Sequence, residues 1–383
     1  MSWNRIRLGD IAIFRNGINF GKESYGKGVS LIGVSDFKNR FYPDYETLDE
    51  VKESVVGVND YLDYGDIVFV RSNGNKELVG RCMVIKTTKS KITYSGFCIR
   101  TRIKNKTEHD PIFWTYHFKN ISFRKSMSGN AVGTNIQNLS QGMLSNYEAE
   151  VPDYNTQLRI ASILVDYDNL IENNQKQIKL LEEAAQRLYK EWFVDLRFPG
   201  HENVEIVDGI PVEWESLEFL NIAPIITGKK DANFGSENGK YLFFTCSQQP
   251  LLAESYSYDC DAVILAGNGD FNVKLYRGKF EAYQRTYVLS PYKTEHLYLL
   301  FYTIKNRMNY LIQGASGSTI KFLTKGMIAD IKVLVPTCEI LNQYNEIAES
   351  LQSKLEALIY QNKLLTEARD RLLPKLMSGE IEV

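Results

Sequence analysis

Between residues 156 and 192 the seam positions recur in alternating steps of four and three: Ile160, Leu164, Tyr167, Ile171, Asn174, Ile178, Leu181, Ala185, Leu188 and Trp192. The stretch holds no Gly or Pro and is rich in strong helix formers. It reads as a coiled-coil seam with one Asn at its middle. Alone, such a stripe also fits a helix lying on its own domain's core. The chain, however, writes the pattern twice. A shift of 184 turns the seam into Tyr344, Ala348, Leu351, Leu355, Leu358, Asn362, Leu365, Arg369, Leu372 and Leu376. At the same offset upstream, Gly133-Thr-Asn-Ile136 answers Gly317-Ser-Thr-Ile320. Leu139-Ser-Gln-Gly-Met143 answers Leu323-Thr-Lys-Gly-Met327, and Val151-Pro152 answers Val335-Pro336. A repeat of this size means duplicated structural units.

Two long helices with matching seams are predicted to pack antiparallel, with paired residue numbers summing to 536. Ile160 then meets Leu376, Ile171 meets Leu365, Ile178 meets Leu358 and Ala185 meets Leu351. Tyr167 meets Arg369, Trp192 meets Tyr344, and Asn174 meets Asn362. A slip of one heptad sets each Asn against Leu or a charged residue, so the Asn pair specifies the register. Pro374 cannot donate to a helix ladder and is expected to kink or end the second helix before Leu376.

Ahead of each helix the pattern changes to short apolar runs. In the first part, 66–71, 81–86 and 97–103 read as strands, 111–118 as a short aromatic helix, and Ser72-Asn-Gly-Asn75 as a turn. The second part repeats this plan in shorter form. There, 262–266 reads as a strand running into Gly267-Asn-Gly269, a hairpin turn, and 286–290 as a further strand. Trp214 and Gly228 answer Trp3 and Gly17 at an offset of 211. The fold class is therefore mixed α/β (α+β): two similar domains joined by two long helices in an antiparallel coiled coil, with a pseudo-two-fold internal repeat. The boundaries fall at 1–152 for the first domain, 153–198 for the first spacer helix, 199–336 for the second domain and 337–383 for the second helix and tail, with Pro199-Gly200 at the junction. Antiparallel helices would set the domains at opposite ends. A seam of 33 residues spans about 50 Å, a spacing suited to two DNA half-sites one or two turns apart.

Composition narrows the chemistry. The chain has 383 residues and 44% hydrophobic content, that of a globular protein. It has no apolar run of about 18 residues and no signal peptide, so a soluble, cytoplasmic protein is expected. The five Cys, at 82, 98, 246, 260 and 338, form no CxxC pair, which argues against structural zinc or a disulfide framework. The net charge of −2 conceals an asymmetry: residues 1–150 carry 21 Lys and Arg against 16 Asp and Glu, and residues 201–337 carry 13 against 15. Ten basic residues and one acid lie within 71–106, either a phosphate-facing surface or a solvated strand face. No GxxxxGK[ST] loop, strand–GxGxxG–helix turn, hydrolase triad signature or nuclease carboxylate pair is present. No catalytic or metal site is expected in this chain.

The domain–helix–domain–helix order and the paired Gly-Ser/Thr…Ile…Leu…Gly-Met…Val-Pro entries resemble the specificity subunit of type I restriction–modification systems. So do the helix ends, Leu188-Tyr-Lys-Glu-Trp-Phe-Val-Asp-Leu-Arg-Phe-Pro-Gly200 and Leu372-Leu-Pro-Lys-Leu-Met-Ser-Gly-Glu380. The resemblance covers essentially the whole chain. It implies two target recognition domains, each reading one half of a split, asymmetric double-stranded DNA site, and helices that set the gap and dock two methylation subunits. It places S-adenosylmethionine, ATP and Mg in the partner methylation and restriction subunits and no cofactor in this chain. A scaffold with duplicated protein-binding domains is the rival reading, and it predicts no salt-dependent affinity for duplex DNA.

Base chemistry supplies the candidate readers, because Arg bridges the acceptors of guanine and Asn or Gln pairs with adenine. In the first domain these are Arg71, Asn73, Asn75, Lys76, Arg81, Arg100, Arg102, Asn135, Gln137 and Asn138; in the second, Asn268, Asn272, Lys274, Arg277, Arg285, Ser318, Thr319 and Lys321. Apolar helix residues off the seam, Leu180, Tyr189, Phe193, Leu364, Leu373 and Met377, are candidates for docking the methylation subunits, or else pack on this chain's own domains.

Overall fold

The computed structural model describes residues 3–37, 40–72, 78–87, 91–127, 138–315, 317 and 321–383. The chain divides into two compact units, Met1–Gln175 with Tyr360–Val383, and Lys176–Ile359. The long helices, Tyr154–Phe193 and Cys338–Met377, each have 40 residues and contribute to both units.

In the first unit a four-stranded antiparallel sheet runs in the order Ala12–Asn16, Cys98–Ile103, Ile67–Val70 and Cys82–Val84. The interior strand Ile67–Val70 is buried along its length, as its unbroken apolar run requires. A separate three-stranded sheet has the order Asp49–Val51, Tyr25–Ile32 and Ile92–Tyr94. The aromatic helix Pro111–Lys119 starts with Pro in its first turn and is capped by Asp110, which accepts from Phe113 N at 2.7 Å. Phe113, Trp114, Tyr116 and Phe118 from this helix join Ile67, Phe69 and Ile99 in one core. Ile160, Ala161 and Leu164 of the first long helix and Leu376 and Met377 of the second belong to the same core.

The second unit keeps this plan around a six-stranded sheet, ordered Ile226–Thr227, Thr286–Leu289, Tyr258–Ala266, Val273–Ala282, Tyr241–Phe244 and Leu251–Ala253. Tyr258–Ala266 and Val273–Ala282 form an antiparallel hairpin across Gly267–Asn272, closed by Ala266 N on Asn272 O at 2.9 Å. An 18-residue helix, Leu297–Gly314, buries its first eight residues in the unit's core. In both units an early strand pairs with the last: Trp3–Arg7 with Glu148–Pro152, and Glu215–Glu218 with Lys332–Val335. That pairing delivers the chain into each long helix at the same point of the repeat.

The helices run antiparallel within each unit. In the first, Asn174 Nδ2 donates to Asn362 Oδ1 at 2.9 Å, the register in which numbers sum to 536. In the second, Trp192 packs on Tyr344 with ring centroids 5.9 Å apart, and Ala185, Leu188, Ala348 and Leu351 share the core. One expectation needs correction. Pro374 does not stop the second helix, which continues to Met377; so close to the helix end it removes one ladder bond, while Leu376 stays 1% exposed in the core. In the same register, Arg369 carries its guanidinium to the carboxylate of Asp168 at 2.5 Å, next to its seam partner Tyr167 in the chain.

Candidate nucleic-acid interface

The candidate readers sort by what their side chains already hold. Arg100 is 5% exposed, and its Nη1 donates to Asn59 O at 3.0 Å and Tyr61 O at 3.3 Å. Arg102 grips the fully buried Asp66 through two bonds of 2.7 and 2.6 Å, and also meets Asp63 at 2.7 Å. Asp66 raises the pKa of Arg102, so the charge is secure. Both arginines pin the loop 59–66 onto the sheet. The expectation that they read bases is corrected, because Arg100 is buried under the loop and Arg102 is held by two carboxylates.

The second unit treats Arg277 in the same way. Its guanidinium contacts Glu349 of the second long helix at 3.1 and 2.8 Å and the Tyr298 hydroxyl at 2.5 Å. The Arg277 hydrogen bond draws the Glu349 carboxyl down to about 2. Arg277 therefore ties the sheet to the helix rather than facing a ligand. Asn272 donates to Cys246 O at 3.0 Å and to Asp270 O at 2.5 Å. Lys274 donates to Ser247 O at 2.9 Å and to Asn272 Oδ1, and burial lowers its pKa. These two brace the hairpin end and are likewise committed inside the unit.

Four of the remaining candidates keep open side chains. Arg71, half-buried at the end of strand Ile67–Val70, and the exposed Asn138, Arg285 and Lys321 make no side-chain hydrogen bond or ion pair among the described residues. Asn268 is half-buried and its backbone bridges Phe322. Asn73, Asn75, Lys76, Asn135, Gln137, Ser318 and Thr319 lie outside the described residues. A groove of about 930 Å³ in the first unit brings Asn138 together with Asn19, Tyr25, Ser72 and Phe97. Arg81 lies elsewhere, lining a cavity of about 440 Å³ with Lys119, Arg124, Asp168 and Arg369 where the domain meets its helices.

Composition missed the exposed aromatics. Phe97 is 62% exposed in the turn before strand Cys98–Ile103, and nothing in the sequence distinguishes it from the buried strand residues that follow. On the helices, Leu180 and Leu364 are exposed, and so are Ile359 and Tyr360. Tyr189 and Phe193 are each 6% exposed, inside their own unit's core, with the Tyr189 hydroxyl on Thr303 Oγ1 at 3.1 Å. Leu373 and Met377 pack against the first unit's core. As docking residues Tyr189, Phe193 and Met377 are corrected, because their own domain already covers them; Leu373 is half-buried.

Comparison with known proteins accords with this duplicated frame. Residues 2–183 and 211–368 match the profile of the type I restriction modification DNA specificity domain. The specificity subunit of the type I restriction enzyme EcoDI of Escherichia coli is 38% identical over 181 residues, covering 45% of this chain and 39% of that protein. The MjaIX specificity subunit of Methanocaldococcus jannaschii is 26% identical over 304 residues, covering 71% of this chain and 69% of the relative. In fold, the crystal structure of the type I restriction–modification S subunit from M. genitalium superposes with a TM-score of 0.62 at 18% identity, covering 98% of this chain and 96% of that one.

Proposed function

As a member of the type I restriction modification DNA specificity domain family, this chain is a specificity subunit whose role is DNA recognition, and we propose that it reads a bipartite, asymmetric site. Residues 1–152 would read one half and 199–336 the other, while the paired helices set the gap. The observation that carries this reading is the duplication itself. Two units share strand pairing, helix entry and seam, yet their open side chains differ, as expected of one scaffold reading two different half-sites.

In this reading the chain is non-catalytic and works in the cytoplasm. Methylation subunits dock on the exposed helix residues Leu180 and Leu364 and carry S-adenosylmethionine; restriction subunits join through them and use ATP and Mg. The net charge of −2 requires that affinity for the DNA backbone come from local basic surface rather than from overall charge.

Methylation mapping tests the proposal. The chain is expressed with its methylation subunit in a host lacking adenine methylation, and modified bases are located genome-wide. Two short specified halves around an unspecified gap are expected, and exchanging residues 1–152 for another domain should change one half alone. A complex that forms and binds its methyl donor but yields no motif refutes the reading.

A further inference from the structure

The two units carry the same backbone device at one end of the central sheet. In the first, Arg71 N donates to Phe97 O at 2.8 Å, Leu139 N to Arg71 O at 2.9 Å, Gly17 N to Cys98 O at 3.1 Å, and Ile18 N to Tyr94 O at 2.9 Å. In the second, Gly267 N donates to Arg285 O at 2.9 Å, Leu323 N to Gly267 O at 2.8 Å, Gly228 N to Thr286 O at 2.9 Å, and Lys229 N to Ala282 O at 3.2 Å. The bonds correspond one to one.

The glycines agree as well. A Cβ on Gly17 would lie 2.3 Å from the carbonyl oxygens of Tyr94 and Ser95, and one on Gly228 would lie 2.2 and 2.3 Å from those of Ala282 and Tyr283. In each copy the chain is pressed so closely onto the turn that leads into strand Cys98–Ile103 or Thr286–Leu289 that no side chain fits. Through this device Phe97 corresponds to Arg285, and Asn138, just before Leu139, corresponds to Phe322, just before Leu323. The offsets are 188 and 184, against 211 for the glycines, so no single shift of the sequence aligns the whole device.

On this shared frame the side chains trade places. Phe97 is 62% exposed and Phe322 is 39% exposed, while Asn138 and Arg285 are exposed without side-chain hydrogen bonds among the described residues. Each copy thus offers one open aromatic and one open hydrogen-bonding group at the same two backbone positions, in exchanged order. The backbone bonds of the device, Arg71 N to Phe97 O and Leu139 N to Arg71 O in one copy and Gly267 N to Arg285 O and Leu323 N to Gly267 O in the other, tie these positions to the sheet before any ligand arrives. Asn bonds the adenine N6/N7 edge, Arg the guanine O6/N7 edge, and Phe contacts the thymine methyl.

We propose that Phe97 with Asn138, and Arg285 with Phe322, are the matched base-reading pairs of the two half-sites, one pair on each copy of the same backbone frame. The proposal rests on the recognition role argued above and adds which positions discriminate. Arg100, Arg102 and Arg277 are thereby excluded from the reading set.

Single-base methylome mapping of the co-expressed complex tests it, with the unsubstituted chain alongside Phe97→Ala, Asn138→Ala, Arg285→Lys and Phe322→Ala. The first two should weaken discrimination at positions of one half-site by about tenfold or more, and the last two at positions of the other. Phe97→Arg, which carries the second copy's residue onto the first frame, should install a new base preference in the first half; this gain cannot come from misfolding. A split motif left unchanged by all five variants overturns the proposal and leaves the recognition role intact. No split motif from the unsubstituted complex overturns both.

Discussion

Asn174 Nδ2 donates to Asn362 Oδ1 at 2.9 Å and to Gln361 Oε1 at 3.1 Å, joining the two long helices through amides at the middle of a mostly apolar seam. Asn174 is 5% exposed, and Asn362 also reaches Ile171 O at 3.4 Å. Asn174→Leu leaves the Asn362 amide short of a partner and should cost about 1–2 kcal/mol, read as a lower urea midpoint. Asn174→Leu with Asn362→Leu should recover that loss while weakening register specificity. A single variant as stable as the parent would mean that the pair does not hold the register.

Arg102 and Asp66 offer a sharper contrast. Asp66 is fully buried, and Arg102 holds both of its oxygens. Arg102→Ala strands that carboxylate and should destabilise the first unit by about 3 kcal/mol or more. Arg102→Lys should rescue it only in part, because an ammonium cannot grip two oxygens side by side. The recognised motif of any complex that still assembles should be unchanged. Chemical denaturation beside methylation mapping separates the two effects, and an altered motif with normal stability would return Arg102 to the reading set.

Acid should loosen the two units through different groups. His117 is buried with one ring nitrogen on the Tyr147 hydroxyl at 2.7 Å, and burial lowers its pKa to about 4 from an ordinary 6.5. The unfolded chain then binds a proton that the folded one refuses, so stability falls as pH drops from 6.5 towards 4. Glu349 has its carboxyl held near 2 by Arg277, so its contribution is complete above its ordinary 4.5 and is lost as pH falls from there towards 2. Both partners of that pair are more than a third exposed, and solvent screens the effect. His117→Phe should flatten the upper limb of a stability-against-pH curve, and Glu349→Gln the lower. Identical curves for parent and variants would contradict the assignment.

Leu180 and Leu364 are 63% and 46% exposed on the long helices. Replacing both with Asp should leave the chain's own unfolding within about 0.5 kcal/mol of the parent, as for surface positions generally. Co-purification with the methylation subunit should be lost. An intact complex would move the docking surface elsewhere, with Ile359 and Tyr360 the next exposed apolar residues to test.

The sequence by itself determined the duplication, the two long helices and their register. These are periodic, local properties: the seam steps, the Asn at its centre and the 184-residue repeat are written along one strand of text. It also determined the strands around Ile67–Val70 and Cys98–Ile103, where apolar runs end in turn residues. It did not separate the helix Leu297–Gly314 from a strand-rich background, because its first eight residues are buried on every side and carry no amphipathic rhythm. Tertiary structure alone decided which polar residues are free. Arg100, Arg102 and Arg277 look like Arg285 in sequence, but their partners Tyr61, Asp66 and Glu349 come from distant parts of the chain. Tyr189 and Phe193 sit off the seam, yet are covered by a domain that begins after the helix ends. The same holds for the match of Phe97 with Arg285. It is carried by backbone bonds across insertions of unequal length, and only folding brings those segments together.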